Sequence, residues 1–259
     1  MKTLRNLALA FSAMAFAISC SSDDDSTEIS TQNHFPLGAS NYWKYDATMT
    51  GAEPAQDSLY VNSVQNNIYD LNVKDVSTNL FMGVITQNNI KVENGEYYLQ
   101  GSVNVGDVVG NILDLEIDLN NAKFLSENAA ANTQLFYLEG EEEQNFGQIP
   151  LKLKYNVETI QQELMSSKNV NGETYENVIK VQFKVNLQIQ AEVLVSFDLM
   201  APQDVIVVDA YFAEGIGMIE SNTTMQYELE NLSLIGGLNF PETMSQTQDE
   251  EITEYLVIQ

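Results

Sequence analysis

The stretch that decides the fold is Val181-Gln182-Phe183-Lys184-Val185-Asn186-Leu187-Gln188-Ile189-Gln190-Ala191-Glu192-Val193. Its odd positions are apolar and its even positions polar, and the odd series continues through Val195, Phe197 and Leu199. A period of two is the spacing of a strand with one buried face. At about 3.3 Å per residue such a strand would run about 60 Å. That is several times the ordinary length, so it must coil, bend at a bulge or pass between sheets.

Its partner lies upstream, where Ile149, Leu151, Leu153, Tyr155 and Val157 again occupy odd positions. Between the two runs, Asn171-Gly172 is the signature of a type I′ hairpin turn. Closing on that turn pairs Leu164 with Ile179 and Ile160 with Phe183. Farther out, two odd-numbered apolar faces oppose each other only if one strand carries an extra residue. The spacing therefore predicts a bulge near Val157–Ile160, with Val157 opposite Val185 and Tyr155 opposite Leu187.

Working outward, the same alternation predicts strands over 42–50, 57–64, 67–75, 80–86, 88–93, 96–104, 110–119, 203–212, 216–230 and 252–258. Asn94-Gly95 marks a second tight hairpin. Residues 121–132 are the best helix candidate, and the acidic run from Gly140 to Gln148 reads as an exposed loop. The expected fold is all-β and mainly antiparallel: one curved sheet, half-open barrel or sandwich built on a long 149–165/174–200 hairpin, with at most one or two short helices.

The amino terminus has a different character. Lys2 and Arg5 precede an uncharged run from Leu7 to Ile18, and Ala17-Ile18-Ser19-Cys20 closes it. That is the shape of a secretory signal, and the run is too short to span a bilayer as a helix. A hydrophobic run ending in small residues before a cysteine resembles the lipobox of bacterial lipoproteins. The resemblance implies a lipid on the Cys20 sulfur and cleavage before it. Cys20 is the chain's one cysteine, so no disulfide can form within it. The following Ser21-Ser22-Asp23-Asp24-Asp25 resembles the export signal of Bacteroidota lipoproteins, with Ser22, Asp23, Asp24 and Asp25 carrying the match. These readings divide the chain into a cleaved signal over 1–19, a lipidated acidic tether over 20–34 and one β-rich domain over 35–259.

Without the signal, nine lysines face 37 carboxylates and no arginine remains. Such a surface repels nucleic acid and lacks the usual tools of phosphate recognition. Nucleic acid is therefore excluded as a partner. The expected partners are the membrane, through the lipid on Cys20, and a glycan, a hydrophobic ligand or an envelope protein.

Three stretches resemble small, uncharacterised surface lipoproteins of the Bacteroidota. They are Phe35-Pro36-Leu37 with Asn41-Tyr42-Trp43-Lys44-Tyr45, Gly172-Glu173-Thr174-Tyr175-Glu176-Asn177-Val178, and Tyr211-Phe212-Ala213-Glu214-Gly215-Ile216-Gly217. The resemblance implies an antiparallel β domain without described catalytic residues. Physically, Trp43 and its flanking tyrosines should anchor the first strand, and Gly215 and Gly217 should supply a bulge or a close backbone approach.

Candidate chemistry is sparse. His34 is the sole histidine and falls in the expected tether, so neither a His/Cys metal site nor a Ser–His–Asp arrangement has its parts. Asp114, Glu116 and Asp118 alternate along an expected strand at about 7 Å intervals, which spreads them out instead of wrapping a calcium ion. No catalytic, cofactor or metal residues are assigned. Asp57-Ser58-Leu59 resembles the short O-glycosylation sequon of these bacteria. The function expected is a non-catalytic binding or structural module on an outer-membrane lipoprotein, facing the exterior. The alternatives are a carrier of lipid or another small hydrophobe in a half-open barrel, and a hydrolase using two carboxylates. The carrier requires a large apolar cavity, and the hydrolase requires two acids converging in a cleft.

Overall fold

The computed structural model describes residues 33–74, 79–106, 108, 113–193, 195–232 and 241–258. In chain order the elements are β1 (Tyr42–Met49), β2 (Ala55–Gln65), β3 (Ile68–Val73), α1 (Leu80–Gln87), β4 (Asn89–Glu93), β5 (Glu96–Gln100), β6 (Ser102–Asn104) and β7 (Glu116–Asp118). They continue with β8 (Ala122–Ser126), β9 (Thr133–Phe146), β10 (Ile149–Val170), β11 (Glu173–Glu192), β12 (Ser196–Ala213), β13 (Gly217–Glu228) and β14 (Thr243–Leu256). The fold is all-β and antiparallel, as the alternation predicts.

Twelve strands form one sheet in the order β8-β5-β4-β3-β2-β1-β14-β13-β12-β11-β10-β9, and β6 pairs with β7 separately. The two meanders, β1–β5 and β9–β14, join where the first strand pairs with the last, Ala47 opposite Glu250. The sheet curls until its edge strands β8 and β9, consecutive in the chain, come together. Curling is the way a sheet with one apolar face and no second layer hides that face. The Asn132 amide donates to Gln162 O at 3.2 Å, one step beyond the β9–β10 ladder. The fully buried Gln161 side chain of β10 crosses the seam to β8, donating to Ala129 O (2.8 Å) and accepting from Ser126 N (3.3 Å).

The long hairpin follows the expected register. Leu164 opposes Ile179, Val157 opposes Val185 and Tyr155 opposes Leu187. The bulge is at Gln162, so Thr159, not Ile160, opposes Phe183. The apolar pattern misplaced it because the inward face of β10 continues past Val157 through two polar residues, Thr159 and Gln161, both buried. Asn171 and Gly172 have φ of 53° and 84°, and Asn94 and Gly95 have 53° and 75°, as type I′ turns require. The tip of the long hairpin folds back over the outside of the sheet. There Lys168 pairs with Glu220 at 3.1 Å and lies 3.9 Å from the Tyr211 ring centroid.

Several expectations are corrected. The apolar run 80–86 is helix α1: Asn79 caps it by accepting from Phe81 N at 2.9 Å, and Phe81, Met82, Val84 and Ile85 are buried at helical spacing. A short apolar run does not by itself separate strand from helix. Residues 121–132 are β8 and a turn, since Lys123 and Leu125 pair with Tyr98 and Tyr97 of β5. Residues 140–146 are strand, not loop; Glu139, Glu141, Glu142 and Glu143 lie along the outer part of β9, where like charges keep other strands from pairing. The strand expected to reach 200 ends at Glu192, and Val193 and Val195 are exposed beside the turn. The strand expected over 96–104 breaks at Gly101, where a Cβ would collide with the Asn88 side chain.

Gln161 gives a direct test. Gln161→Leu leaves the buried Ser126 N and the half-buried Ala129 O without that partner and should cost about 2–4 kcal/mol in urea unfolding. A loss below about 0.5 kcal/mol would mean that this side chain does not hold the seam.

Candidate functional site

The three stretches that resemble surface lipoproteins, far apart in sequence, converge at one end of the barrel. Phe35 packs against Trp43 (centroids 5.6 Å apart) and Phe212 (5.4 Å). Trp43 Nε1 donates to Ile216 O at 2.5 Å, and Tyr45 OH donates to Met218 O at 3.0 Å. Gly217, with φ of 118°, is glycine because a Cβ there would stand 2.8 Å from Trp43 Nε1. Tyr42 departs from expectation: it turns outward and donates to Glu254 at 2.7 Å, so only Trp43 and Tyr45 anchor β1 in the core.

His34 is also corrected, from tether to fold. It is 3% exposed, its Nδ1 lies 2.5 Å from Glu127 Oε2, and its Nε2 lies 2.8 Å from Asn177 O. The carbonyl can only accept, so Nε2 carries a hydrogen, and one further proton sits between Nδ1 and the carboxyl. The His34 amide donates to the other Glu127 oxygen at 2.7 Å, and Gly215 N donates to Asn33 O at 2.8 Å. The chain is thus clamped where it enters the domain. A lone histidine gives no sequence pattern, and its partners are 93 and 143 residues away.

Sequence reasoning missed a buried acid pair. Glu250 on β14 and Asp57 on β2 both point into the barrel, with Ser221 Oγ donating to Glu250 at 2.9 Å. Burial, against the opposing hydrogen bond from Ser221 and with help from the neighbouring Asp57, drives the Glu250 carboxyl up to about 8. Burial, then Glu250 and Asp57, also raise the Tyr45 phenol well above its usual value. Two adjacent acids are the parts of an acid–base dyad, but Glu250 is 0% and Asp57 4% exposed. No substrate reaches them in this conformation. The groove nearest along β14, about 310 Å3 between α1 and the β13–β14 end, reaches Gln248, one inward step short of Glu250. The pair went unseen because the inward face of β14 is polar at Gln246, Gln248 and Glu250, leaving no apolar period before Ile252.

The remaining candidates are plainly placed. Cys20, Ser22, Asp23, Asp24 and Asp25 lie outside the described residues. Asp114, Glu116 and Asp118 are exposed; Ser102 donates to Glu116, and Asn120 N donates to Asp118. Among the described residues no three His, Cys, Asp or Glu side chains gather as a metal site would require. Asp57-Ser58-Leu59 lies within β2, with Asp57 and Leu59 turned inward and Ser58 half-buried. An apolar void between Phe81, Phe124, Phe183 and Phe212 holds about 10 Å3, room for about one water. On the outside, a groove of about 510 Å3 crosses β9 to β12 and is lined by Glu139, Glu141, Lys154, Asn156, Asn186 and Gln188. Comparison with family models, curated proteins and solved structures finds no match to this chain.

The acid pair makes stability depend on pH with a definite sign. Between the ordinary carboxyl range and about pH 8 the folded state holds a proton that the unfolded state has released. Stability attributable to Glu250 is therefore full at acid pH and falls as pH rises, by up to about 1.4 kcal/mol per unit. Glu250→Gln keeps a donor for Asp57 and should flatten the fall, so that its melting temperature overtakes the parent's above pH 8. Parallel pH profiles for the two proteins would contradict this.

Proposed function

We propose that this chain is a lipoprotein held to the outer membrane through a lipid on Cys20, with its β domain facing the exterior as a non-catalytic binding or structural module. The observation that carries this reading is the run Ala17-Ile18-Ser19-Cys20 followed by Ser22-Asp23-Asp24-Asp25. The structure supports it by clamping the chain at His34, so that a pull on the tether acts on the barrel and not on a loose end. Among the described residues no helix is long and apolar enough to cross a membrane.

The catalytic alternative is the weaker because the two acids that converge are closed off from solvent. The carrier alternative requires a cavity for an acyl chain, and the apolar void holds about one water. A binding role has a surface available in the outer groove. Its amides and carboxylates offer donors and acceptors to the hydroxyls of a glycan.

Metabolic labelling with a fatty acid in a lipoprotein-exporting bacterium tests the anchor. The parent should label and Cys20→Ala should not; labelling of Cys20→Ala contradicts the reading. Protease added to intact cells should remove the domain, and replacing Asp23, Asp24 and Asp25 with Ala should protect it. A parent protein resistant until the cells are broken would place the domain on the periplasmic face.

A further inference from the structure

The barrel end at which the chain enters carries apolar residues that the core does not cover. Val64, Tyr69 and Val92 continue the inward face of β2, β3 and β4 to the rim, paired Val64 with Tyr69 and Tyr69 beside Ile90. Val64 is 41% exposed and Ile68, next to it at the β2–β3 turn, 40%. Across the rim Leu256 is 44% and Ile258 55% exposed, and the Ile258 amide is held by Asn41 Oδ1 at 2.8 Å. Between these two sides opens a groove of about 460 Å3 that includes Asn33, the first described residue, together with Leu37, Tyr69, Val92 and Ile258.

Much of the charge at this end is paired. Lys44 pairs with Glu254 at 2.6 Å, Lys91 with Glu93 at 2.6 Å and Lys123 with Glu96 at 2.6 Å. Glu127 is bonded to His34, and Glu214 accepts from Asn177. Three of the nine lysines that remain beyond the signal thus sit around one mouth, each beside a carboxylate. The acidic edge of β9 is elsewhere, its Glu139 to Glu143 approaching the opposite end.

The geometry points to this mouth as a membrane-docking surface, seated on the bilayer into which the lipid on Cys20 inserts. The inference rests on the lipid-anchor reading and adds the domain's orientation to it. Thirteen residues, 20–32, separate the lipid from Asn33 and can extend over at most about 45 Å. Val193, at the far turn, lies sixteen residues of strand beyond Asn177, about 50 Å at about 3.3 Å per residue. The tether therefore holds the apolar mouth closer to the lipid than Val193 and Val195 at the far turn, at a high effective concentration. Apolar residues ringed by paired charges suit the boundary between headgroups and acyl chains.

The test uses the lipidated mature chain in phosphatidylcholine–phosphatidylethanolamine vesicles. A bimane is placed on Ile68→Cys, on Ile258→Cys or, at the far end, on Val195→Cys. Lipid brominated on its acyl chain should quench the first two at least twofold and leave the third unchanged. If the protein floats with the vesicles but positions 68 and 258 behave like 195, the docking proposal is overturned while the anchor stands. If position 258 is shielded only by cross-linking to a second copy, the mouth is a self-association surface and the proposal is likewise overturned. A chain that does not float at all refutes the anchor, and the docking proposal with it.

Discussion

The whole architecture follows from the need to bury one apolar face of a sheet that has no second layer to pack against. An antiparallel sheet with alternating residues hides that face by packing on something else or by curling on itself. Here the strands β10 to β12 are long enough to coil, and the sheet wraps until β8 meets β9. The interior is then filled from within by Trp43, Tyr45, Phe35 and Phe212, with α1 covering one end. Curling also brings the two sheet edges against each other along the length of β8, while the longer β9 continues past it under a row of glutamates.

The sequence carried this fold wherever apolar residues supply the period. The hairpin, its turn and its register, down to Val157 opposite Val185, could be read from parity alone. Two of the errors share a cause. Where the inward face is polar, as at Thr159, Gln161, Gln248 and Glu250, the alternation disappears although the geometry persists. The bulge was accordingly misplaced by a few residues, and the first half of β14 was not foreseen. α1 and β8 were exchanged in kind because local propensity gave way to a cap in one case and to strand pairing in the other.

The functional reading divides at residue 33. Before it stand the residues on which the proposed anchor depends, and after it stands the β domain. His34 marks the junction, because a histidine expected in a tether is instead a buried bridge between Glu127 and Asn177. The buried pair Asp57 and Glu250 would be an odd luxury for stability alone, since it penalises the folded state at alkaline pH. In this conformation both acids are closed off from solvent.

The central claim is that the sheet is closed and that the chain is locked to it at His34. Native-state hydrogen exchange on the protein tests this most directly. The account predicts that the amides of His34 and Ser126 exchange as slowly as those in the middle of β11, through the same global opening. Fast exchange at these two amides while β10 to β13 stay protected would contradict it, leaving an open sheet with a loose amino-terminal segment.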